Sequence, residues 1–412
     1  MFAQIIMTLK RLHFFLLIFS ALIFSQCIET EQDIYQHNYS MDELFLIKES
    51  EDLVLRAHEI SSKVPVSIHG ENSVGYGFGP GTYVSLACYW WPDPSTENGL
   101  PYIRDDGKVN PETRSEASDL PAMIEMAKRV ELLSSAYMIS GDETFAEQAI
   151  EQLHTWFVDQ NSAMLPHLEH AQMVRGRDSG RSYGVIDTWW LVRVIHSIPV
   201  LQRSGYWPDQ LETGLKKWFT HYLNWLRNSE FGLEEMRSKN NHGTWYDVQL
   251  VLFANYVGQQ EYAAQHIESI TKKRLNRQIT RSGRQRHEAR RPKPEHYSIY
   301  NLNGWFELLT LAENLEIELQ QKSSPWSGTI KDALFHLINS MQEIHVDEIL
   351  DPMDRTDTDR LYLDLLLKSA VFFNHPAIFE EINRIKPQVR NPELTLLRTM
   401  EMIDVTTGFS NH

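Results

Sequence analysis

From Lys239 to Asp247 the chain reads Lys-Asn-Asn-His-Gly-Thr-Trp-Tyr-Asp, so two amides, an imidazole, an indole and a phenol fall close together. A second polar cluster, Arg290, Arg291, His296, Tyr297 and Asn301, follows about fifty residues on. Together these are the parts for removing a proton from the carbon next to a carboxylate. An amide or guanidinium at the carboxylate stabilises the enolate-like charge that develops. A neutral imidazole, with a reference pKa near 6.5, is available as the base around neutral pH. A phenol protonates the departing oxygen, and beside an arginine that favours its phenolate form it can also be the base. This set fits β-elimination on a uronic-acid polymer, and it needs no cofactor. The same stretch also has a plainer use. Asn240 or Asn241 can cap a helix announced by the apolar run Val248–Tyr256, with His242 satisfied and Trp245 and Tyr246 in the core.

Other chemistries have weaker support. His167 and His170 stand three apart with Glu169 between them, but neither an HExxH motif nor a cysteine pair accompanies them, so no metal is expected. There is no Gly-x-Ser-x-Gly elbow for a serine nucleophile. Paired carboxylates for glycoside hydrolysis stay open, because their separation is a three-dimensional fact. The formal charge of −16 argues against general nucleic-acid binding. It leaves room for an acidic substrate, since from Lys272 to Lys293 ten residues are Lys or Arg and only Glu288 is acidic. Eleven Trp, 16 Tyr and 18 Phe supply faces for stacking on sugar rings as well as for a core.

The elements that must position these residues are almost all helical. Residues 1–27 read as a signal peptide of lipoprotein type: Lys10 and Arg11 precede the apolar run Leu12–Phe24, and Cys27 stands where the lipidated cysteine would be. Residues 28–40 are a polar tether, and 41–412 are expected to form a single domain, with helical periodicity from Asp42 to Ser62. Up to about Arg114 the chain is loop-like, with a glycine-rich run followed by Tyr83-Val84-Ser85-Leu86-Ala87-Cys88-Tyr89-Trp90-Trp91-Pro92-Asp93-Pro94. A long aromatic loop is usually functional, or else a plug over a bundle. Helices then come in pairs: 120–140 with 143–159, 185–201 with 211–228, 245–257 with 260–277, 297–315 with 331–344, and 361–373 with 377–385. Between the first two pairs lies a donor- and glycine-rich connection that contains Gln172 and Arg181. The expectation is an all-α, incomplete (α/α) toroid of helix hairpins.

Four separated stretches carry a resemblance in the same order. Asn240-Asn241-His242-Gly243-Thr244-Trp245-Tyr246 is similar to the Asn-Asn-His signature of the alginate-lyase superfamily, the α/α-toroid polysaccharide lyases. Ser85–Pro94, Ala171-Gln172 with Gly184-Val185-Ile186-Asp187, and Arg291 with Tyr297-Ser298 and Asn301-Leu302 resemble it as well. The resemblance implies that Asn241 neutralises the substrate carboxylate and that His242 is a base. It further implies that Arg291 supports the carboxylate or the phenolate, and that Tyr297 is the acid and also a possible base. Tyr89, Trp90, Trp91, Gln172, Arg181, Trp245, Tyr246, Tyr300 and Asn301 are expected to contact the sugar chain. Pro292 and Pro294 depart from the family pattern, which keeps Arg290 in reserve for Arg291, and Tyr300 and Tyr246 in reserve for the phenol. The implied protein is an exported, periplasmic or outer-membrane-anchored lyase of an anionic polysaccharide, most readily alginate. Its membrane contact would be only an N-terminal lipid. A glucuronan lyase, a non-catalytic glycan-binding lipoprotein and a carboxylate-based glycoside hydrolase are the alternatives.

Overall fold

Ten helices pack as an inner and an outer layer, because two kinds of helix alternate along the chain. The computed structural model describes residues 41–68, 70–320, 325–343 and 352–386; the signal peptide, Cys27 and the tether lie outside them. α1 (Met41–Ser61) and the short α2 (Gly70–Gly75) precede the aromatic loop. α3 (Leu120–Ser140) and α4 (Glu143–Phe157) form the first hairpin, and α5 (Leu191–Leu201) and α6 (Asp209–Asn228) the second. A seven-residue helix, α7 (Glu230–Met236), leads into α8 (Asn241–Tyr256). The chain returns through α9 (Gln260–His266), a π turn (Ile267–Thr271) and α10 (Lys272–Gln278). α11 (Pro294–Asn314) with α12 (Ile330–Glu343), and α13 (Pro352–Phe372) with α14 (Pro376–Ile385), complete the series.

The inner arc runs α3, α5, α8, α11, α13, each helix packed on the next, and α4, α6, α9, α12 and α14 back it from outside. Outer helices need only one apolar face. In α6 that face is Leu211, Leu215, Trp218, Phe219, Tyr222, Leu223 and Leu226, at helical spacing. Inner helices are covered on most sides, and α8 buries a continuous run from Gly243 to Ala254. One continuous apolar cluster extends from Leu53 to Ile385. Where inner helices face each other, polar pairs join them. Arg193 of α5 meets Glu131 of α3 at 2.5 Å, and His196 of α5 meets Glu307 of α11 at 3.0 Å. Lys368 of α13 bridges Glu307 at 2.9 Å and Asp364 at 2.8 Å. Buried charges of this kind persist only when paired.

Two expectations change. Residues 182–190 form a 3₁₀ stretch before α5, where a continuous helix from Val185 was expected. There Gly184 approaches so closely that a Cβ on it would lie 2.4 Å from Ala171 Cβ. The aromatic loop is also more ordered than its glycines and prolines imply. β1 (Val84–Leu86) pairs in parallel with β4 (His170–Met173), and β2 (Trp90–Trp91) pairs antiparallel with β3 (Ile103–Arg104). Buried Asp187 fastens this arrangement. It accepts from Ser85 Oγ at 2.5 Å, Tyr83 Oη at 3.2 Å and Gln172 Nε2 at 3.1 Å.

Candidate active site

The asparagine–histidine stretch opens α8, and a carboxylate from outside the helix caps it. Asn240 has extended N-cap backbone, but its side chain makes no capping bond. Glu288 takes that place: Oε1 accepts the Asn241 backbone N–H at 2.7 Å, and Oε2 accepts the Asn241 side-chain amide at 2.8 Å. An anion at a helix N-terminus meets both free N–H groups and the positive end of the helix dipole. The capping expected of Asn240 or Asn241 therefore falls to Glu288.

The next residue is held just as tightly. His242 Nδ1 lies 2.5 Å from Oε1 of Glu235, a buried carboxylate whose Oε2 also accepts from Ser238 Oγ at 3.2 Å. Gly243 is required by space, because a Cβ there would lie 2.0 Å from Arg274 Nη1 and 2.2 Å from the Ser238 carbonyl. Arg274 runs beneath the turn. It donates to both oxygens of Asp247 at 2.8 and 3.2 Å, and to the carbonyls of Ser238 at 2.5 Å and Met236 at 2.8 Å. Burial alone would raise the Asp247 carboxyl, but Arg274 and His266 outweigh it and hold the group below its ordinary range.

The second cluster is set by the start of α11. Arg291 follows a 3₁₀ turn and donates its backbone N–H to the Glu288 carbonyl at 2.9 Å. Pro294 is in the first turn of α11, where a fixed φ and a missing N–H do no harm. The Pro-x-Pro thus marks a helix start just after Arg291. Its Nη2 donates to Tyr297 Oη at 2.9 Å, and its Cζ lies 3.9 Å from the centre of the Tyr297 ring. Arg290 is exposed, and of the two arginines it is Arg291 whose bond to Tyr297 is seen. Tyr89 Oη lies 2.6 Å from Tyr297 Oη. Burial pushes the Tyr89 phenol far up, so it stays protonated, and either hydroxyl of this pair can be the donor. Burial also raises Tyr297, against the pull of the Tyr89 hydrogen bond and Arg291, so its resting form is the neutral phenol. Arg291 donates to the Tyr297 oxygen, and when Tyr89 donates as well the Tyr297 proton is free to point elsewhere.

The two clusters meet through Glu288. It binds Asn241 directly; burial raises its carboxyl above the ordinary range, and Asn241, Arg291 and His242 pull it back in part. The aromatic loop joins them. Arg177 and Arg181 lie 4.9 and 5.6 Å from the Trp90 ring centre, and Arg181 lies 5.2 Å from that of Tyr183. The exposed Tyr183 meets His242 edge-on, with centroids 5.2 Å apart. Gln172 holds Arg181, accepting Nε on its carbonyl at 2.9 Å and Nη2 on Oε1 at 3.2 Å. Gln172 itself has φ +49°, a left-handed conformation fixed by bonds to Ser85 and Asp187, and such strain gathers at functional sites. Trp91 is half-buried, with its indole N–H on the Lys108 carbonyl at 3.1 Å.

Three residues expected at the sugar lie in the interior. Trp245 is 2 % exposed and donates to the Tyr300 carbonyl at 3.2 Å. Tyr246 is 1 % exposed and donates to the Leu226 carbonyl at 3.1 Å. Asn301 is fully buried, its amide on Gln278 and Gln285 at 2.9 and 2.6 Å. All three brace the site and do not line it. Tyr300 packs on Trp245 and Trp189, and its phenol is pushed well up by burial, which makes it a poor substitute for Tyr297. Asn241, 1 % exposed, has one amide N–H engaged by Glu288, so a single N–H remains for a substrate carboxylate. His170 stacks on Phe78 at 3.5 Å, with Nδ1 2.9 Å from the Ser179 carbonyl. Among the described residues no group of three or more His, Cys, Asp or Glu side chains could hold a metal ion.

Sequence reasoning missed Glu235, Tyr183 and Asp106, the last 3.7 Å from Arg291. It noticed Glu288 only as the one acid in a basic run, which was signal enough to ask what it pairs with.

A family model described as alginate lyase matches residues 79–345. A crystal structure of an alginate lyase from Bacteroides ovatus is 30% identical, covers 86% of this chain and 93% of its own, and superposes with a TM-score of 0.76. A variant of alginate lyase A1-III complexed with a tetrasaccharide is 14% identical and covers 80% of this chain and 86% of its own, with a TM-score of 0.55. Alginate lyase A1-III from Sphingomonas species A1 is likewise 14% identical, covers 79% and 88%, and has a TM-score of 0.50. At that identity the likeness is one of fold. No curated protein matches the sequence.

Proposed function

The chain belongs to the alginate lyase family, and on that premise we propose that it cleaves alginate by β-elimination at the site built from α8, the start of α11 and the aromatic loop. One observation carries the reading. The Tyr297 hydroxyl accepts from Arg291 at 2.9 Å and pairs with Tyr89 at 2.6 Å, in a cluster that Glu288 joins to Asn241 and the His242–Glu235 pair. That arrangement leaves one phenol proton to give and one imidazole lone pair to take.

In the proposed reaction Arg291 and the remaining Asn241 N–H receive the uronate carboxylate and so stabilise charge as C5 loses its proton. The C5 proton passes to His242 Nε2 or, where it stands on the other face, to Tyr297 Oη after that phenol has given its own proton to bulk water. The C5–H electron pair becomes the C4=C5 double bond. The C4–O4 bond breaks, and O4 leaves with the C4–O4 bonding pair and takes a proton from the Tyr297 phenol. Bulk water then exchanges protons with imidazolium and phenolate to restore the resting forms. Trp90, flanked by Arg177 and Arg181, offers an aromatic face between two cations to the anionic polymer.

Export and a lipid on Cys27 belong to the same proposal, supported by the basic start and apolar run ahead of that residue. Among the described residues no helix is long and apolar enough to cross a membrane. The test is to incubate the purified protein with polymannuronate, polyguluronate and glucuronan and follow the ultraviolet absorbance of the conjugated product. Turnover of either alginate block is expected. Turnover of glucuronan alone would overturn alginate as the substrate, and turnover of none would overturn the lyase reading.

A further inference from the structure

Building on the lyase reading, we propose that Glu235 is the positioning residue of the base. It fixes the His242 imidazole in its Nδ1–H form and turns the Nε2 lone pair toward the substrate. An ionised carboxylate can only accept, so the ring nitrogen facing Glu235 Oε1 at 2.5 Å must carry the hydrogen. The lone pair is then on Nε2. In the opposite tautomer an N–H would face the C5 proton and no base would be present, the same reason a carboxylate orients the histidine of a hydrolytic triad.

Glu235 is built to hold its place. It is 1 % exposed and lies near the end of α7, one residue before a backbone carbonyl that Arg274 grips. Arg274 also binds the Ser238 carbonyl and is itself locked by both oxygens of Asp247. Ser238 Oγ occupies the second Glu235 oxygen at 3.2 Å, which leaves the first for the ring. On its other side the imidazole meets the Tyr183 ring edge-on, which limits how it can turn. Glu235 from α7 and Glu288 from the turn before α11 are both acidic and both interact with His242. An imidazolium formed as the C5 proton arrives is therefore met by carboxylates on two sides.

Sugar stereochemistry supplies a readout that a merely structural role would not move. In mannuronate the C5 proton and O4 lie on the same face, so Tyr297 can serve as base and acid in turn. In guluronate they lie on opposite faces, so a base other than the acid is needed, and His242 is that base. The experiment compares wild type, Glu235→Leu and Glu235→Gln as full-length mature protein. It combines ¹⁵N-histidine NMR, with the His242 signals assigned by their loss in His242→Asn, and kcat and KM on polymannuronate and polyguluronate.

The wild-type ring is expected to carry its hydrogen on Nδ1, and Glu235→Leu to lose that preference. In Glu235→Leu, kcat on polyguluronate should fall about 10²-fold with KM nearly unchanged, and the loss on polymannuronate should be at least several-fold smaller. Glu235→Gln, whose carbonyl can still accept, should fall between wild type and Leu, and it covers the case in which Leu does not fold. A wild-type ring protonated on Nε2 would overturn the proposal, whichever polymer is cleaved. So would equal losses on both polymers, or kcat within twofold of wild type in both variants. A wild type inactive on every uronate polymer would instead strike the lyase reading, while the NMR would still decide the tautomer.

Discussion

Tyr297→Phe removes one oxygen, and the structure sets what that oxygen is worth to the fold and to the reaction. The hydroxyl accepts from Arg291 Nη2 at 2.9 Å and pairs with Tyr89 Oη at 2.6 Å. A typical hydrogen bond contributes about 1 kcal/mol net, somewhat more when one partner is charged. Arg291 and Tyr89 are only half-buried, so water can replace much of what they lose, and the stability cost should be about 1–2 kcal/mol. In a domain of this size that lowers the melting temperature by only a few degrees. The ring, its contact with the Arg291 guanidinium and the backbone of α11 are untouched. Catalysis should respond on another scale. A general acid is worth roughly 10²–10⁴ in rate, about 3–5 kcal/mol of barrier at 1.36 kcal/mol per tenfold. Because burial keeps the Tyr297 phenol above its ordinary value, it is protonated throughout the neutral range, so on polyguluronate, where it serves only as the acid, the deficit should not depend on pH there. Initial rates of unsaturated-product formation, with a thermal melt on the same sample, separate the two effects. A variant that melts within a few degrees of wild type and keeps most of its rate on every accepted polymer would refute the assignment of the acid.

Trp90→Ala removes the face shared by Arg177 and Arg181, so KM should rise about tenfold with kcat little changed; an unaltered KM on every cleaved polymer would make the loop purely structural. Asp247→Asn leaves the buried Arg274 without its counter-charge and should cost about 3–5 kcal/mol, read from denaturant midpoints. The pH dependence has a definite sign. The folded Asp247 carboxyl lies below its unfolded value, so its contribution is complete above the unfolded value of about 3.9 and is lost as pH falls through the folded one. Wild type should therefore lose stability in acid more steeply than Asp247→Asn, and parallel curves would contradict this. Cys27→Ser should move the protein from the membrane fraction to the soluble one, and continued membrane association would rule out the lipid anchor.

What could be read from the sequence follows from how each feature is written in the chain. Helices α3, α6 and α12 were legible within a residue or two because each spans many turns of local periodicity. The stretch 182–190 was not, since its apolar pattern is helical while Gly184 lets the backbone press against Ala171 and tighten to 3₁₀. The residues that would touch reacting atoms announced themselves by type, as an amide–imidazole pair and an arginine–tyrosine pair. Periodicity alone could not show which aromatics face solvent. Trp245 and Tyr246 sit beside His242 in sequence, yet α8 is covered on most sides, and the 100° step between residues turns both rings inward. The supporting carboxylates were hardest of all. Glu235 reaches His242 from a seven-residue helix and Glu288 reaches Asn241 from a turn 47 residues away, and only the basic run around Glu288 hinted at either role. A buried carboxylate nevertheless costs several kcal/mol unless it is matched. Once their burial is known, the two groups they hold account for them: Asn241 and His242, the residues proposed to meet the substrate carboxylate and its proton.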